Sequence, residues 1–346
     1  MTDLLRRIVL ARRPQGRLAD EDFRLETAPL PAPGAGEVLV RTVWLSLDPY
    51  MRGRLNDAPS YTAPVGLGQP IHGESVGEVV AGTADGLRPG DLVIGHGGWQ
   101  SHWLGTAATA RRLEPAGVPL AAFLGPLGMP GHTAYAAIDG IIRPKPGETV
   151  VVPAATGAVG SVAAQLARAR GARVIGIAGG AGKCAYAERE LGCARCLDRH
   201  EPDLAGRLAA ACPDGIDGYV ELVGGEVFWA VLPLLAIAAR VPVIGGIAAY
   251  NAAGPPPGPD RTPQLLRTTL VRRLVVQGLL VWDWRHLEEA FRAEVGGLIR
   301  AGRLRWKDDV ADGLEQAPAA LMALLEGGNF GKQLVRVGPD PAGGTP

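Results

Sequence analysis

The stretch Thr149–Lys183, TVVVPAATGAVGSVAAQLARARGARVIGIAGGAGK, limits what this chain can fold into more than any other. Val150–Val152 is a short apolar run of the kind that forms a buried strand. A turn of small residues follows, Ala154 to Gly160, and then Val162, Leu166 and Ala169 recur at helical spacing. Val174–Ala178 is a second apolar run. Strand, glycine turn, helix and strand make one βαβ unit, which belongs in a parallel sheet.

The turn also carries chemistry. Ala155, Gly157 and Gly160 keep the G-x-G-x-x-G spacing, with alanine in the first place. The missing side chain at Gly157 lets a pyrophosphate approach the backbone, and Gly160 lets the helix pack close to its strand. The helix N-terminus offers unpaired N–H groups and partial positive charge to phosphates. An NAD site carries an acidic residue about 20 positions further on, to hold the ribose hydroxyls. Here that region reads Ile177, Ala178, Gly179, Gly180, with no carboxylate, and Lys183 follows. The missing acid and the gained base point to NADP(H), with Lys183 on the 2′-phosphate. Without a ligand, the same residues would form a tight turn and a solvated lysine.

The 346 residues are long enough for two domains. The formal charge is zero and 47% of residues are hydrophobic, which gives no reason to expect a nucleic-acid or membrane-surface partner. The N-terminal MTDLLRRIVLARRP breaks its apolar residues with arginines, unlike a secretory signal. The apolar segment Val227–Ala249 is interrupted by Pro233, Arg240 and Pro242, and is read as a helix then a strand instead of a membrane span. The expected location is cytoplasmic. Cys184, Cys193, Cys196 and Cys212 include one C-x-x-C pair without a second at zinc-ribbon spacing, so small buried or partly exposed thiols are expected.

Along the chain, Ile8–Ala121 reads as β-rich, with short runs at Val38–Val43, Val76–Val80 and Leu92–Gly95 between turn residues. That texture predicts a compact barrel-like domain. From Ala122 to Ile247, helical patterns alternate with apolar runs, including Gly218–Leu222 and Val241–Ile244, as in a doubly wound sheet. Leu287–Leu298 and Val310–Leu325 read as helices and Gln333–Val337 as a last strand, before a frayed PDPAGGTP. Four further segments stand out: Ser46–Gly53 (SLDPYMRG), Leu127–Tyr135 (LGMPGHTAY), Gly245–Asn251 (GGIAAYN) with a proline-rich loop at Gly254–Pro259, and Gly328–Lys332 (GNFGK).

In this order, around an A-x-G-x-x-G turn, these motifs resemble the medium-chain dehydrogenase/reductase superfamily. The likeness is closest to its zinc-independent leukotriene B4 dehydrogenase / prostaglandin reductase branch, which includes the curcumin reductases. The resemblance covers nearly the whole chain. It implies an α/β protein with a GroES-like β-rich barrel domain over residues 1–121 and 302–346. A Rossmann domain, the doubly wound parallel sheet that binds NADP(H), would take 122–301. It implies a homodimer and NADPH-dependent reduction of the C=C bond of α,β-unsaturated ketones or aldehydes. It places Thr156, Gly157, Ala158 and Val159 at the pyrophosphate, and Gly179 and Lys183 at the adenosine end. Gly246, Tyr250, Asn251, Leu279, Leu280, Val281 and Asn329 would contact the rest of the cofactor. Tyr50, Arg52, Met129, Tyr250 and Trp282 would line the substrate cleft. Three departures touch the site. Glu221-Leu222 stands where the family has Asp-Asn, Thr268–Val271 lacks a family tyrosine, and another is missing near Cys196–Asp198.

Conjugate reduction needs a donor to the oxygen on which charge gathers. Tyr50 and a ribose hydroxyl of the cofactor are the two candidates. A catalytic zinc would need converging Cys, His or Glu ligands. His72 and Glu74 match part of such a set, but Ser46 stands where a ligating cysteine is expected, so no metal is expected. His96, His102 and His132 are read as turn or cleft residues. Trp282 and Trp284, next to the nicotinamide segment, are read as cleft residues, while Trp44, Trp99 and Trp103 fit core or cleft. Two other activities stay open: quinone reduction, and a redox-silent descendant of the same fold acting as a cyclase, isomerase or binding protein.

Overall fold

The computed structural model describes residues 4–254 and 258–341, so parts of the proline-rich loop and of the frayed C-terminus lie outside the described residues. The chain divides into two compact units. The first takes the residues up to Leu124, Tyr250–Ala253 and the residues from Asp308 on; the second takes Gly125–Ala249 and Gly254–Lys307.

In the first unit, β1 (Leu4–Leu10) pairs antiparallel with β2 (Phe23–Pro29). The main sheet contains β3 (Glu37–Ser46), β4 (Ser75–Gly82), β5 (Leu92–Gly95), β6 (His102–Thr106) and β7 (Ala110–Arg112). From the C-terminal segment it gains β14 (Asp308–Asp312) and β15 (Lys332–Arg336). The order is β14-β15-β3-β4-β5-β7, with β6 also on β3. Val38, Val40, Val79, Val93 and Trp103 form an apolar core there. Helix α1 (Tyr50–Arg54) opens after Pro49, whose fixed φ suits a helix start. Val310–Leu325 is not one helix. Residues 308–312 form β14, with Val310 opposite Leu334, and only α9 (Ala317–Leu325) is α-helical. Gly313, at φ 92, takes a left-handed turn that a continuous helix could not pass.

The second unit contains α2 (Met129–Tyr135) and then a regular alternation. It runs β8 (Thr149–Pro153), α3 (Gly160–Ala169), β9 (Arg173–Ala178), α4 (Ala181–Arg189), β10 (Arg195–Asp198) and α5 (Leu204–Ala211). It continues through β11 (Ile216–Tyr219), α6 (Gly225–Val231), β12 (Leu235–Val243), α7 (Thr262–Arg272), β13 (Val275–Gly278) and α8 (Glu288–Arg300). All six strands are parallel, in the order β10-β9-β8-β11-β12-β13. The chain therefore winds outward both ways from β8, and the strand order reverses between β8 and β11. Every residue of β8 is buried, as expected of a central strand covered on both faces. The Val227–Ala249 segment resolves into α6, a short 3-10 turn and β12. Among the described residues, no helix is long and apolar enough to cross a membrane.

All four cysteines are buried and free. Burial raises every thiol, Cys193 to about 12 and Cys212 to about 11, which disfavours the reactive thiolate.

One buried ion pair ties the C-terminal segment of the first unit to the SLDPYMRG loop. Lys332 Nζ donates to Asp48 Oδ1 at 2.8 Å and to the Leu47 carbonyl at 2.6 Å. The two side chains are 2% and 7% exposed. Ser46 Oγ donates to the other oxygen, Oδ2, so both carboxylate oxygens are engaged. Removing the lysine leaves an uncompensated charge away from water. Lys332→Met is expected to cost about 3–5 kcal/mol in chemical denaturation, and Lys332→Met with Asp48→Asn markedly less. Equal losses in both would assign the effect to packing alone.

Candidate cofactor and substrate site

In a parallel sheet, ligands bind beyond the carboxyl ends of the strands, at the point where the order reverses. The turn after β8 is at that point and is unusually tight. Ala154 has φ 47, in the left-handed region that alanine rarely adopts. Its carbonyl accepts the Gly157 N–H at 2.8 Å. A Cβ added at Gly160 would lie 2.3 Å from that same carbonyl oxygen, and one at Gly157 would lie 3.2 Å from it. Only glycine allows α3 to begin so close to its strand. The Ala155 methyl is tightly surrounded: a Cβ added at Gly176, on β9, would lie 3.0 Å from Cys196 Sγ and 3.1 Å from that methyl. Thr156 is buried, whereas Gly157, Ala158 and Val159 are half-buried at the mouth of the turn.

Beyond β9, Gly179 and Lys183 are also half-buried, with Lys183 in the first turn of α4. The nearby carboxylate is engaged with the backbone: Asp198 Oδ1 accepts the N–H groups of Gly180 at 2.8 Å and His200 at 2.9 Å. These donors hold Asp198 below the usual carboxylate range. The strand end thus combines a glycine cradle, a helix N-terminus and a lysine, with its acid turned to the backbone. Those residues fit a dinucleotide with a 2′-phosphate.

Beyond β11 and β12 the loops hang from one another. Ile244 and Gly245 donate to the Glu221 carbonyl, Ile247 to that of Leu222 and Ala248 to that of Val223. Glu221 is 4% exposed, and its Oε1 accepts the N–H groups of Val223 and Gly224 at 2.7 Å each. Burial raises its pKa despite those donors. The Glu-Leu departure therefore keeps a carboxylate that shapes the loop. Gly246 is half-buried in the loop so held. Leu279, whose N–H donates to the Val243 carbonyl at 2.9 Å, is buried just past β13; Leu280 and Val281 are half-buried. Trp282 is 39% exposed. Trp284 is packed instead. A Cβ at Gly140 would meet its ring at 2.4 Å, and its carbonyl lies 3.1 Å from His132 Nε2. Trp44, Trp99 and Trp103 are core residues. Met129 opens α2 and is half-buried, with its carbonyl accepting the Thr133 hydroxyl at 2.8 Å.

The remaining expected site residues belong to the first unit. Tyr50 is half-buried, with Arg54 5.2 Å from its ring centroid. Burial, followed by the Asp48 charge, raises the phenol pKa strongly, so its hydroxyl stays protonated and can donate. Arg52 departs from the cleft role expected of it. It is 2% exposed, and it donates to Asn56 Oδ1 at 2.6 Å and the Gly16 carbonyl at 2.7 Å, so it anchors a loop. Tyr250 is half-buried. Asn251 donates to Glu326 Oε1 at 3.2 Å, and Asn329 donates to the Gly331 carbonyl at 2.7 Å. His72 and His96 keep exposed edges, but partial desolvation of their rings, then the Arg54 charge, lowers both pKa values. Among the described residues, no group of three or more His, Cys, Asp or Glu side chains is placed to hold a metal ion.

Residues 6–113 match a family described as the N-terminal domain of oxidoreductase, and residues 158–293 one described as zinc-binding dehydrogenase. The chain is 47% identical over 336 residues to the NADPH-dependent curcumin reductase of Escherichia coli K12, covering 97% of each chain. The chain belongs to the zinc-independent medium-chain dehydrogenase/reductase family. It is also 37% identical over 325 residues to a 2-alkenal reductase (NADP(+)-dependent) of Nicotiana tabacum, covering 92% of this chain and 93% of that one. The crystal structure of CurA from Vibrio vulnificus in complex with NADPH superimposes with a TM-score of 0.94 at 43% identity. The match covers 97% of this chain and all of that one. The family's two-part architecture is present here, a β-sheet unit and a Rossmann-like unit.

Proposed function

We propose that this chain reduces the C=C bond of α,β-unsaturated ketones and aldehydes with NADPH. The observation that carries the reading is the β8–α3 turn, whose close approach only glycine permits, in a chain related along its length to an NADPH-dependent curcumin reductase. When bound, NADPH supplies the hydride that adds to the β-carbon of the acceptor.

The protein's own part is binding, orientation and charge. Thr156–Val159 and the α3 N-terminus hold the pyrophosphate; Gly179 and Lys183 hold the adenosine end. The Gly246 loop, kept in place by Glu221–Val223, and the Leu279–Val281 backbone face the nicotinamide. Asn329 and the Tyr250–Asn251 corner complete the cofactor contacts, and Met129, Tyr250 and Trp282 serve the substrate side. Tyr50 donates its hydroxyl proton as a hydrogen bond to the carbonyl oxygen as that oxygen gains charge. Its raised pKa keeps the donor available across the neutral range.

NADPH oxidation across a panel of trans-enones, enals and benzoquinones tests the reading, with NADH as control. Saturated ketone or aldehyde formed one-for-one with NADP+ is expected. Turnover of quinones alone, or product without NADPH oxidation, would contradict it. Tyr50→Phe is expected to lower kcat about a hundredfold while the NADPH dissociation constant stays unchanged. Unchanged turnover would remove Tyr50 from the mechanism.

A homodimer is the second element of the proposal. β13 ends the parallel sheet, and Val275 and Val276 on it are 47% and 44% exposed. On α7, just before it, Leu266, Leu270 and Val271 are 64%, 77% and 58% exposed. An apolar sheet edge invites a second strand, and a two-fold axis lets one copy offer the same edge to another. Light scattering should show a dimer, and Leu270→Glu with Val276→Lys a monomer. A wild-type monomer would refute this.

A further inference from the structure

We propose that Arg199 and His200 complete the seat for the 2′-phosphate of the cofactor and set the preference for the phosphorylated coenzyme. The proposal rests on the reading of the chain as an NADPH-dependent reductase.

Both residues follow β10, the neighbour of β9, beyond its carboxyl end, and both are exposed. Their side chains reach across to the β9 exit. A Cβ added at Gly179 would lie 2.9 Å from His200 Nε2 and 3.2 Å from Arg199 Nε. Gly179 is not among the glycines with positive φ, so no turn demands glycine there. What the missing side chain provides is room for an imidazole and a guanidinium above the strand end.

The two strand exits are locked together. Arg199 N–H donates to the Ala178 carbonyl at 2.8 Å. Asp198 Oδ1 holds Gly180 from one exit and His200 from the other. The nearby acid Glu201 is engaged by Arg207, at 2.9 Å. Among the described residues, no salt bridge involves Arg199 or His200, and His200 lies near enough to Asp198 to help lower that carboxyl's pKa. Two cation-forming side chains thus stand over the glycine at the point where the second strand of a dinucleotide fold meets the adenosine ribose. A guanidinium can grip a phosphomonoester with two parallel N–H bonds, and an imidazole adds a further donor. Lys183 alone would act as a point charge. An unphosphorylated ribose offers these groups no anion, so their contribution falls on NADPH and not on NADH.

The test is a binding measurement without turnover. Dissociation constants for NADPH and NADH are read from nicotinamide fluorescence on the wild-type protein, the Arg199→Ala/His200→Ala variant and Gly179→Ala. The double variant should lose about tenfold or more of the NADPH-over-NADH ratio, through NADPH alone. Gly179→Ala should lower the ratio as well, because its methyl displaces both side chains with no charge removed. Both substitutions lie at exposed or half-buried positions, and an unchanged thermal unfolding temperature confirms the fold. A double variant that keeps the wild-type ratio overturns the proposal and leaves the phosphate to Lys183. Wild-type protein with no preference between the two coenzymes overturns it together with the NADPH reading.

Discussion

The Rossmann-like unit depends on one close contact, between the carbonyl of Ala154 and the α-carbon of Gly160. Any side chain at 160 would stand 2.3 Å from that oxygen. The contact sets where α3 begins, and hence where its N-terminal N–H groups point. Two neighbouring residues are constrained as well. Ala154 accepts a left-handed backbone to make the turn, and Gly176 leaves room for Cys196 Sγ and the Ala155 methyl. Such strain and close approach fit a segment that must leave its backbone open to a phosphate.

The central strands were legible because each is an apolar run bounded by turn residues. Val150–Val152, Val174–Ala178 and Val241–Ile244 map onto β8, β9 and β12, though β12 begins earlier, at Leu235. The edges of the sheet carry a weaker signal. β10 spans four residues with arginine and aspartate at its ends and only Cys196 and Leu197 buried, and β13 spans four residues all exposed to solvent, so neither stands out as an apolar run. Residues 310–325 mislead differently. Val310 and Leu314 sit at helical spacing, yet β14 pairs along β15, and sequence spacing cannot show a partner more than 20 residues away.

The tight turn of the candidate site is legible where backbone chemistry demands a residue type, as at Gly157 and Gly160. Residues are less legible where a side chain's direction decides. Arg52 follows Tyr50 in the same motif, but two positions along a helix point to different faces, and the guanidinium turns inward to Gly16 and Asn56. Glu221 was visible only as a departure from a family pattern. The structure shows its carboxylate capping Val223 and Gly224 in a loop that in turn holds the segment around Gly246. Lys332 and Asp48 lie in two motifs nearly the whole chain apart, and only the fold brings them together.

The proposed reaction requires hydride to pass from the phosphorylated coenzyme to the β-carbon of the acceptor and not to its carbonyl carbon. NADPH carrying deuterium on the transferred position of its ring, reacted with a trans-enone and read by NMR, tests this most directly. Deuterium is expected at the β-carbon of a saturated ketone. Deuterium on the carbinol carbon of an allylic alcohol, or an unlabelled product, would contradict it.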